Sequence, residues 1–261
     1  DRKDLLLNQR QLVQDETNYM ENVYETKEIQ QIVYKAKIAK DYFLLIGPPG
    51  TGKTSLALKS MVEEFYCEQS NNILLLSYTN RAIDEICDAL DSVKGNPSYI
   101  RIGSELSCEN KHRKRLLEKV IENCENRNEV KAKIQEHRIF VGTVASLSNK
   151  TELFKLKHFQ IAIIDEASQI LEPSIIGILS AKNANGGNAI DKFILIGDHK
   201  QLPAVVLQNE SSSRVTSQSL NQIGLIDRKN SLFERLYNLH KSDKKSLAWG
   251  MLHKQGRMHP D

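Results

Sequence analysis

The 261-residue sequence has no cysteines at CxxC spacing: Cys67, Cys87, Cys108 and Cys124 are scattered along it. That argues against a zinc site or a disulfide framework and for reduced thiols inside a cell. No apolar run approaches the roughly 20 residues of a membrane span, and no signal-peptide pattern opens the chain. A soluble intracellular protein is therefore expected. There is no internal repeat and no low-complexity segment. Nor does one sign of charge dominate: the net charge of +3 and pI near 8.5 permit nucleic acid as a partner without requiring it. What remains is an ordinary balance, 40% hydrophobic and 26% charged, in a length that suits one large α/β domain. The first residue is Asp1 rather than Met, so a piece of a longer protein is expected.

Short apolar runs alternate with helical patterns, the signature of a mainly parallel sheet with flanking helices. Strands are predicted over 42–46, 73–76, 99–102, 139–141, 161–164 and 193–196. Their near-continuous apolar character suits strands covered on both faces. Leu58, Met61, Val62 and Phe65 mark one helical stripe, and Ile83, Ile86, Cys87 and Leu90 another. Three segments break the rhythm. Residues 1–26 are polar and read as a helical extension. Residues 105–137 read as a charged helical insert with Leu117, Val120, Ile121 and Cys124 on one stripe. The Ser-, Asn- and Gln-rich stretch 208–222 reads as a mobile surface loop.

Gly47-Pro48-Pro49-Gly50-Thr51-Gly52-Lys53-Thr54 is a complete GxxxxGK[ST] phosphate-binding loop. Glycines let the backbone curl so that successive N–H groups meet phosphate oxygens. Lys53 is placed to reach the β- and γ-phosphates, and the Thr54 hydroxyl to ligate Mg²⁺. The bare pattern arises by chance about once in a hundred chains of this length. Here it lies between an apolar strand and an amphipathic helix, where a chance match is far rarer. A second apolar strand runs into Asp165 and Glu166. A carboxylate at a strand end holds Mg²⁺ through water, and the next one is suited to orient and deprotonate an attacking water. Two solvated carboxylates are the plainer alternative, which the loop upstream makes the weaker one. A third strand ends in Ile196-Gly197-Asp198-His199-Lys200-Gln201-Leu202-Pro203. Neutral Gln201 adds no charge to an anionic site, although such a cluster alone is usually just solvated.

Together with the closing Gln255-Gly256-Arg257-Met258-His259-Pro260, these motifs resemble superfamily 1 helicases. The chain looks like the branch containing the nonsense-mediated-decay helicase and the replication helicase-nuclease. Residues 77–84, 101–103, 141–143 and 231–236 are similar to that branch as well, and the likeness runs from about residue 27 to the end. It implies a RecA-like P-loop NTPase domain over 27–261 that binds ATP and Mg²⁺ and hydrolyses ATP while moving 5′ to 3′ on single-stranded DNA or RNA. It implies Lys53 and Thr54 as phosphate and Mg²⁺ ligands, Asp165 as the metal carboxylate and Glu166 as the base. Gln201 would couple the γ-phosphate to nucleic-acid binding, and Arg257 would reach the γ-phosphate. Thr79, Asn80 and Thr143 sit where the family touches the nucleic-acid backbone, although Thr79 or Asn80 could equally cap a helix. The branch reads adenine with a glutamine shortly before the loop; Gln31 is favoured over Gln30, and Gln11 lies too far upstream. Two departures stand out. Gly256 occupies a position where the family has Tyr, and the second RecA-like domain is not in these 261 residues, so it is expected beyond Asp261.

The insert carries Lys111, Arg113, Lys114, Arg115 and Lys119, which could contact nucleic acid. The nearby Glu118, Glu122, Glu125 and Glu129 favour a solvated charged face instead. Two rival functions remain: a nucleic-acid-stimulated ATP switch or scaffold without unwinding activity, and an unrelated P-loop enzyme such as a small-molecule kinase. The motifs around Asp165 and Gln201 argue against the second.

Overall fold

Strand β1 (Tyr42–Ile46) is buried along its whole length, which only a strand covered on both faces allows. The computed structural model describes residues 2–15, 19–24, 26–198, 200, 209–243 and 246–253. The other strands are β2 (Ile73–Ser77), β3 (Tyr99–Ile102), β4 (Ile139–Thr143), β5 (Phe159–Ile164), β6 (Ile190–Gly197) and β7 (Trp249–Met251). Among the described residues these seven form one sheet in the order β3-β4-β2-β5-β6-β1-β7. Every pair is parallel, with Tyr42 opposite Phe193, Ile73 opposite Ile161 and Leu44 opposite Trp249. This is the RecA-like arrangement that the sequence predicts, with β7 as an edge strand that its three residues did not announce.

Helices α1 (Arg2–Leu6), α2 (Lys27–Ile38), α3 (Lys59–Cys67), α4 (Asn80–Asp91), α5 (Leu117–Val120) and α6 (Arg127–Glu136) occur in the first half. Helices α7 (Val144–Ser148), α8 (Leu153–Leu156), α9 (Glu172–Leu179), α10 (Glu210–Ser213), α11 (Gln218–Gln222) and α12 (Leu232–His240) follow. The period of two along each strand sorts its side chains onto two faces. Phe43, Leu45, Leu75, Ile163 and Ile194 pack with α2, α3 and α4 on one face. Tyr42, Leu44, Leu74, Ala162 and Phe193 pack with α1, α7, α9 and α12 on the other. Because the strands run in register and parallel, Gly47, Thr79, Thr143, Asp165 and Asp198 all emerge at one edge of the sheet. That edge is where α/β folds bind ligands.

Three segments differ from expectation. The N-terminal extension is helical only over Arg2–Leu6. Beyond Leu6 no apolar periodicity supports a helix, and the chain becomes a strap held by carboxylates. Asp41 accepts from the Arg10 guanidinium and from the Val13 N–H, and buried Glu64 accepts from the N–H groups of Glu21 and Asn22. Leu5 and Leu6 belong to the main core, and the Arg2 guanidinium donates to the Ile190 and Asp191 carbonyls. The 105–137 insert is broken into α5, α6 and tight turns rather than one helix, and fully buried Leu116 anchors it. Its basic residues are largely committed within the chain: Lys111 to Asp88 and Glu109, Arg113 to Glu105, Lys119 to Glu122, and Arg115 against the Tyr99 ring. The described part of 208–222 holds α10 and α11 rather than an open loop. It is tied down by Val215 N–H to Ile226 O at 3.0 Å and Arg228 N–H to Ser213 O at 2.9 Å. One ion pair ties distant segments together. Buried Arg235 makes two 2.7 Å bonds to Glu172 and also donates to the Leu6 and Ile223 carbonyls.

Candidate active site

The loop after β1 is shaped by its glycines. Gly52 has φ +78°, and a Cβ there would stand 2.8 Å from Leu56 Cδ1. Gly47 has no room for a side chain either, since its Cβ would lie 2.8 Å from both Lys53 Cγ and Thr51 Oγ1. Such bare backbone forms the concave turn whose N–H groups converge on an anion. The first turn of the following helix is wide: both Leu56 N–H and Ala57 N–H donate to the Gly52 carbonyl, at 2.9 and 3.0 Å. The helix N-terminus adds its positive dipole end to the loop. Thr51 Oγ1 donates to the Pro48 carbonyl at 2.8 Å, and Lys53 Nζ to the Gly47 and Pro48 carbonyls at 2.6 and 3.2 Å. Burial lowers the Lys53 ammonium from its ordinary value, and Asp165, Asp198 and Glu166 oppose that shift.

Strand β5 delivers Asp165, only 2% exposed, beside the loop. Its Oδ2 accepts from Thr54 Oγ1 at 2.5 Å, and its Oδ1 accepts from the Glu166 N–H at 2.8 Å. Burial pushes the Asp165 carboxyl upward, while those hydrogen bonds and the Lys53 charge pull it back. Glu166 adopts φ +53°. A left-handed conformation costs a residue with a side chain on the order of 1 kcal/mol, and such strain collects at functional sites. The turn carries the Glu166 carboxylate across to β2. There Ser77 Oγ and Thr79 Oγ1 donate to Oε2 at 3.3 and 3.4 Å. Burial first, then the neighbouring Asp165 charge, raises Glu166 above its ordinary value. A raised carboxylate is a better proton acceptor, which is what a general base requires.

A cleft of about 1020 Å³ opens over these groups. The loop from Pro49 to Thr54, Asp165 and Glu166 line it. It continues past Thr26, Glu28 and Ile29 at the start of α2 and Leu252 just after β7, and along Ala82, Glu85 and Asp88 of α4. The parts predicted from the phosphate loop and the Asp165-Glu166 motif thus meet in one cavity.

Residues 22–135 and 107–209 match the family model described as an AAA domain. Over 198 residues the chain is 31% identical to the human DNA replication ATP-dependent helicase/nuclease DNA2, covering 74% of this chain and 17% of that protein. It is 30% identical over 211 residues to the DNA replication ATP-dependent helicase/nuclease JHS1 of Arabidopsis thaliana, covering 81% and 14%. The chain belongs to the superfamily 1 helicases. Within them it falls in the replication helicase-nuclease branch, and it spans 14% to 17% of the length of these relatives. In fold alone, the helicase domain of Pyrococcus furiosus Hef is similar, with a TM-score of 0.50 at 14% identity over 87% of this chain and 38% of that one.

In this helicase domain the predicted site residues divide into three groups. The phosphate loop, Asp165 and Glu166 come together as described. Thr79 does two things: its hydroxyl caps α4 by accepting the Ala82 N–H at 3.1 Å, and it donates to Glu166. Exposed Asn80 stands at the same strand end. Thr143 is buried and its hydroxyl caps α7, accepting from Ser146 N–H at 3.1 Å, so its side chain already has an internal role. Gln201 and Arg257 lie outside the described residues. Gln31 is exposed on α2 and is not among the residues that line the cleft. Gln31 lies one helical turn beyond cleft-lining Glu28, about 4.5 Å further along α2 from the phosphate loop side of the wall. Gln30 is no substitute, because its side chain accepts from Tyr24 N–H at 2.8 Å and donates to the Asn22 carbonyl at 3.4 Å, holding the N-terminal strap. Sequence reasoning assigned no role to Ser77, which stands just past the predicted strand 73–76 at the head of the family-like segment 77–84, and it missed the wall of Thr26, Glu28 and Ile29. The signal for that wall was the Thr26 cap, which fixes where α2 begins and hence which of its residues face the loop.

Proposed function

We propose that this chain is the ATP-hydrolysing motor domain of a helicase that moves 5′ to 3′ on single-stranded DNA. Mg²⁺ is its metal, and a second RecA-like domain completes its cleft. The observation that carries the reading is the line of contacts from Thr54 through Asp165 and Glu166 to Ser77 and Thr79. It links a phosphate cradle to a proton acceptor, and that acceptor to a strand end suited to nucleic-acid backbone. The choice of DNA is supported by relatives named as DNA replication helicase/nucleases.

The oxygens of Thr54 and Asp165, 2.5 Å apart, are hard donors of the kind Mg²⁺ takes. When bound, the ion neutralises charge on the β- and γ-phosphate oxygens. The chain's own residues do the rest. The loop N–H groups and Lys53 hold the phosphates in place. Glu166 orients a water and accepts its proton as the water oxygen bonds to the γ-phosphorus. The bond from that phosphorus to the β–γ bridging oxygen breaks, and its electron pair leaves with ADP. The Asp165 charge beside Glu166 strengthens the base. Gln201 and Arg257 act on the γ-phosphate in this proposal, and Thr79 and Asn80 on the backbone of the strand.

The test is ATP turnover with and without single-stranded DNA. Lys53→Ala is expected to abolish tight ATP binding and turnover while leaving the fold intact, and unchanged turnover would remove this loop as the active site. Strand displacement by the protein that carries this domain separates a helicase from an ATP switch that unwinds nothing.

A further inference from the structure

We infer that Glu28 selects the base of the nucleotide, its carboxylate accepting a hydrogen bond from the 6-amino group of adenine. This rests on the cleft being the ATP site. Beyond the phosphate loop the cleft has two walls, one along α4 with Glu85 and Asp88 and one made by Thr26, Glu28 and Ile29 of the α2 start with Leu252; only the second is built on an apolar surface anchored to the loop's own strand. Ile29 and Leu252 are buried and apolar, a surface suited to the face of a purine. The Thr26 hydroxyl is spent on capping α2, accepting from Ile29 N–H at 3.2 Å. Glu28 is different. Its Oε1 accepts from the backbone N–H of His253 and from the His253 ring Nδ1, both at 3.0 Å. No donor reaches its Oε2 among the described residues. Among the described residues the side chain is thus pinned at one oxygen, and the other is left as an acceptor facing the cleft.

The pin is rigid. Leu252 N–H donates to the Ile46 carbonyl at 2.8 Å, and β7 pairs with β1, so the His253 anchor is fixed to the strand that carries the phosphate loop. A carboxylate offers acceptors only. It therefore complements the 6-amino group of adenine and opposes the 6-oxo group of guanine, an attractive and a repulsive element from one residue.

The experiment is equilibrium competition against a ribose-labelled fluorescent ATP, using the 261-residue chain. ATP, GTP and purine riboside triphosphate, which lacks the 6-amino group, are compared on wild type, Glu28→Ala and Glu28→Gln, with thermal melts checking that each variant is folded. Wild type is expected to hold ATP about 10- to 150-fold more tightly than purine riboside triphosphate, the range for a hydrogen bond to a charged group. In Glu28→Ala the two affinities should converge, and in Glu28→Gln the rejection of GTP should weaken. Equal binding of ATP and purine riboside triphosphate by wild type, a comparison that needs no variant, would overturn the inference and leave the ATP site standing. So would a Glu28→Ala variant that weakens both nucleotides equally, as a wall held only through His253 would do. If wild type bound no triphosphate at all, both readings would fall.

Discussion

Glu166→Gln isolates the proton-transfer step from everything else the cleft does. The amide is nearly isosteric and tolerates φ +53° no worse than the acid. Its oxygen can still accept from Ser77 and Thr79, so the side chain keeps its direction. What disappears is the ability to take a proton from water. Loss of a general base costs about 10²- to 10⁴-fold, or roughly 3–5 kcal/mol of barrier. Binding should hold or tighten, because Asp165 no longer faces a second carboxylate. Single-turnover hydrolysis and equilibrium binding of Mg²⁺·ATP measure the two quantities separately. Turnover within about threefold of wild type would refute the base assignment. Collapse of binding together with turnover would make Glu166 a metal ligand instead. A companion variant tests the strain: Glu166→Gly should abolish hydrolysis yet gain about 1 kcal/mol of stability, raising Tm by about 2–4 °C. No gain would mean that the left-handed turn at Glu166 stores nothing.

Further outcomes follow from neighbouring contacts. Asp165→Ala strips the acceptors from the Thr54 hydroxyl and the Glu166 N–H, so half-maximal turnover should need more Mg²⁺; an unchanged Mg²⁺ titration would contradict that role. Thr79→Val removes a helix cap worth about 1 kcal/mol and one of the two hydroxyls on Glu166, and should lower DNA-stimulated turnover more than basal turnover. Equal losses would reduce Thr79 to a cap. Arg235→Met leaves Glu172 without its bidentate partner. Urea unfolding should show a loss of about 3 kcal/mol, the low end for a broken buried pair because Glu172 keeps some solvent. A change below about 1 kcal/mol would show that water replaces the guanidinium.

Much of the sheet was legible because buried parallel strands read as continuous apolar runs, and six such runs coincide with β1 to β6. Strand β7 was not, since Trp249-Gly250-Met251 is too short for periodicity and is recruited only by pairing with β1. The insert misled for a related reason. Leu117, Val120, Ile121 and Cys124 do lie at helical spacing, yet the chain spends its burial on Leu116 and breaks the helix after Val120. In the N-terminal strap the organising groups are single carboxylates, Asp41 and Glu64, which accept backbone N–H donors from many residues away. No local pattern encodes such a contact.

The site divides along the same line. The phosphate loop and the Asp165-Glu166 pair are local motifs whose residue types follow from their chemistry, and the fold places them side by side. Base recognition as we propose it depends instead on which helical turn reaches the cleft, and that depends on where the helix starts. Counting residues back from the loop favours Gln31, because glutamine has suitable donors and the spacing is close. The Thr26 hydroxyl on the Ile29 N–H starts α2 at Lys27, and in the first turn from that start Glu28 and Ile29 line the cleft while Gln31, one turn further on, is exposed. Gln31 and Glu28 lie three residues apart on one helix face, so moving one turn, about 4.5 Å, toward the helix start exchanges an amide that can donate or accept for a carboxylate that can only accept. The selectivity expected of this cleft is therefore that of an acceptor held by His253, and it follows from one helix cap rather than from the spacing between motifs.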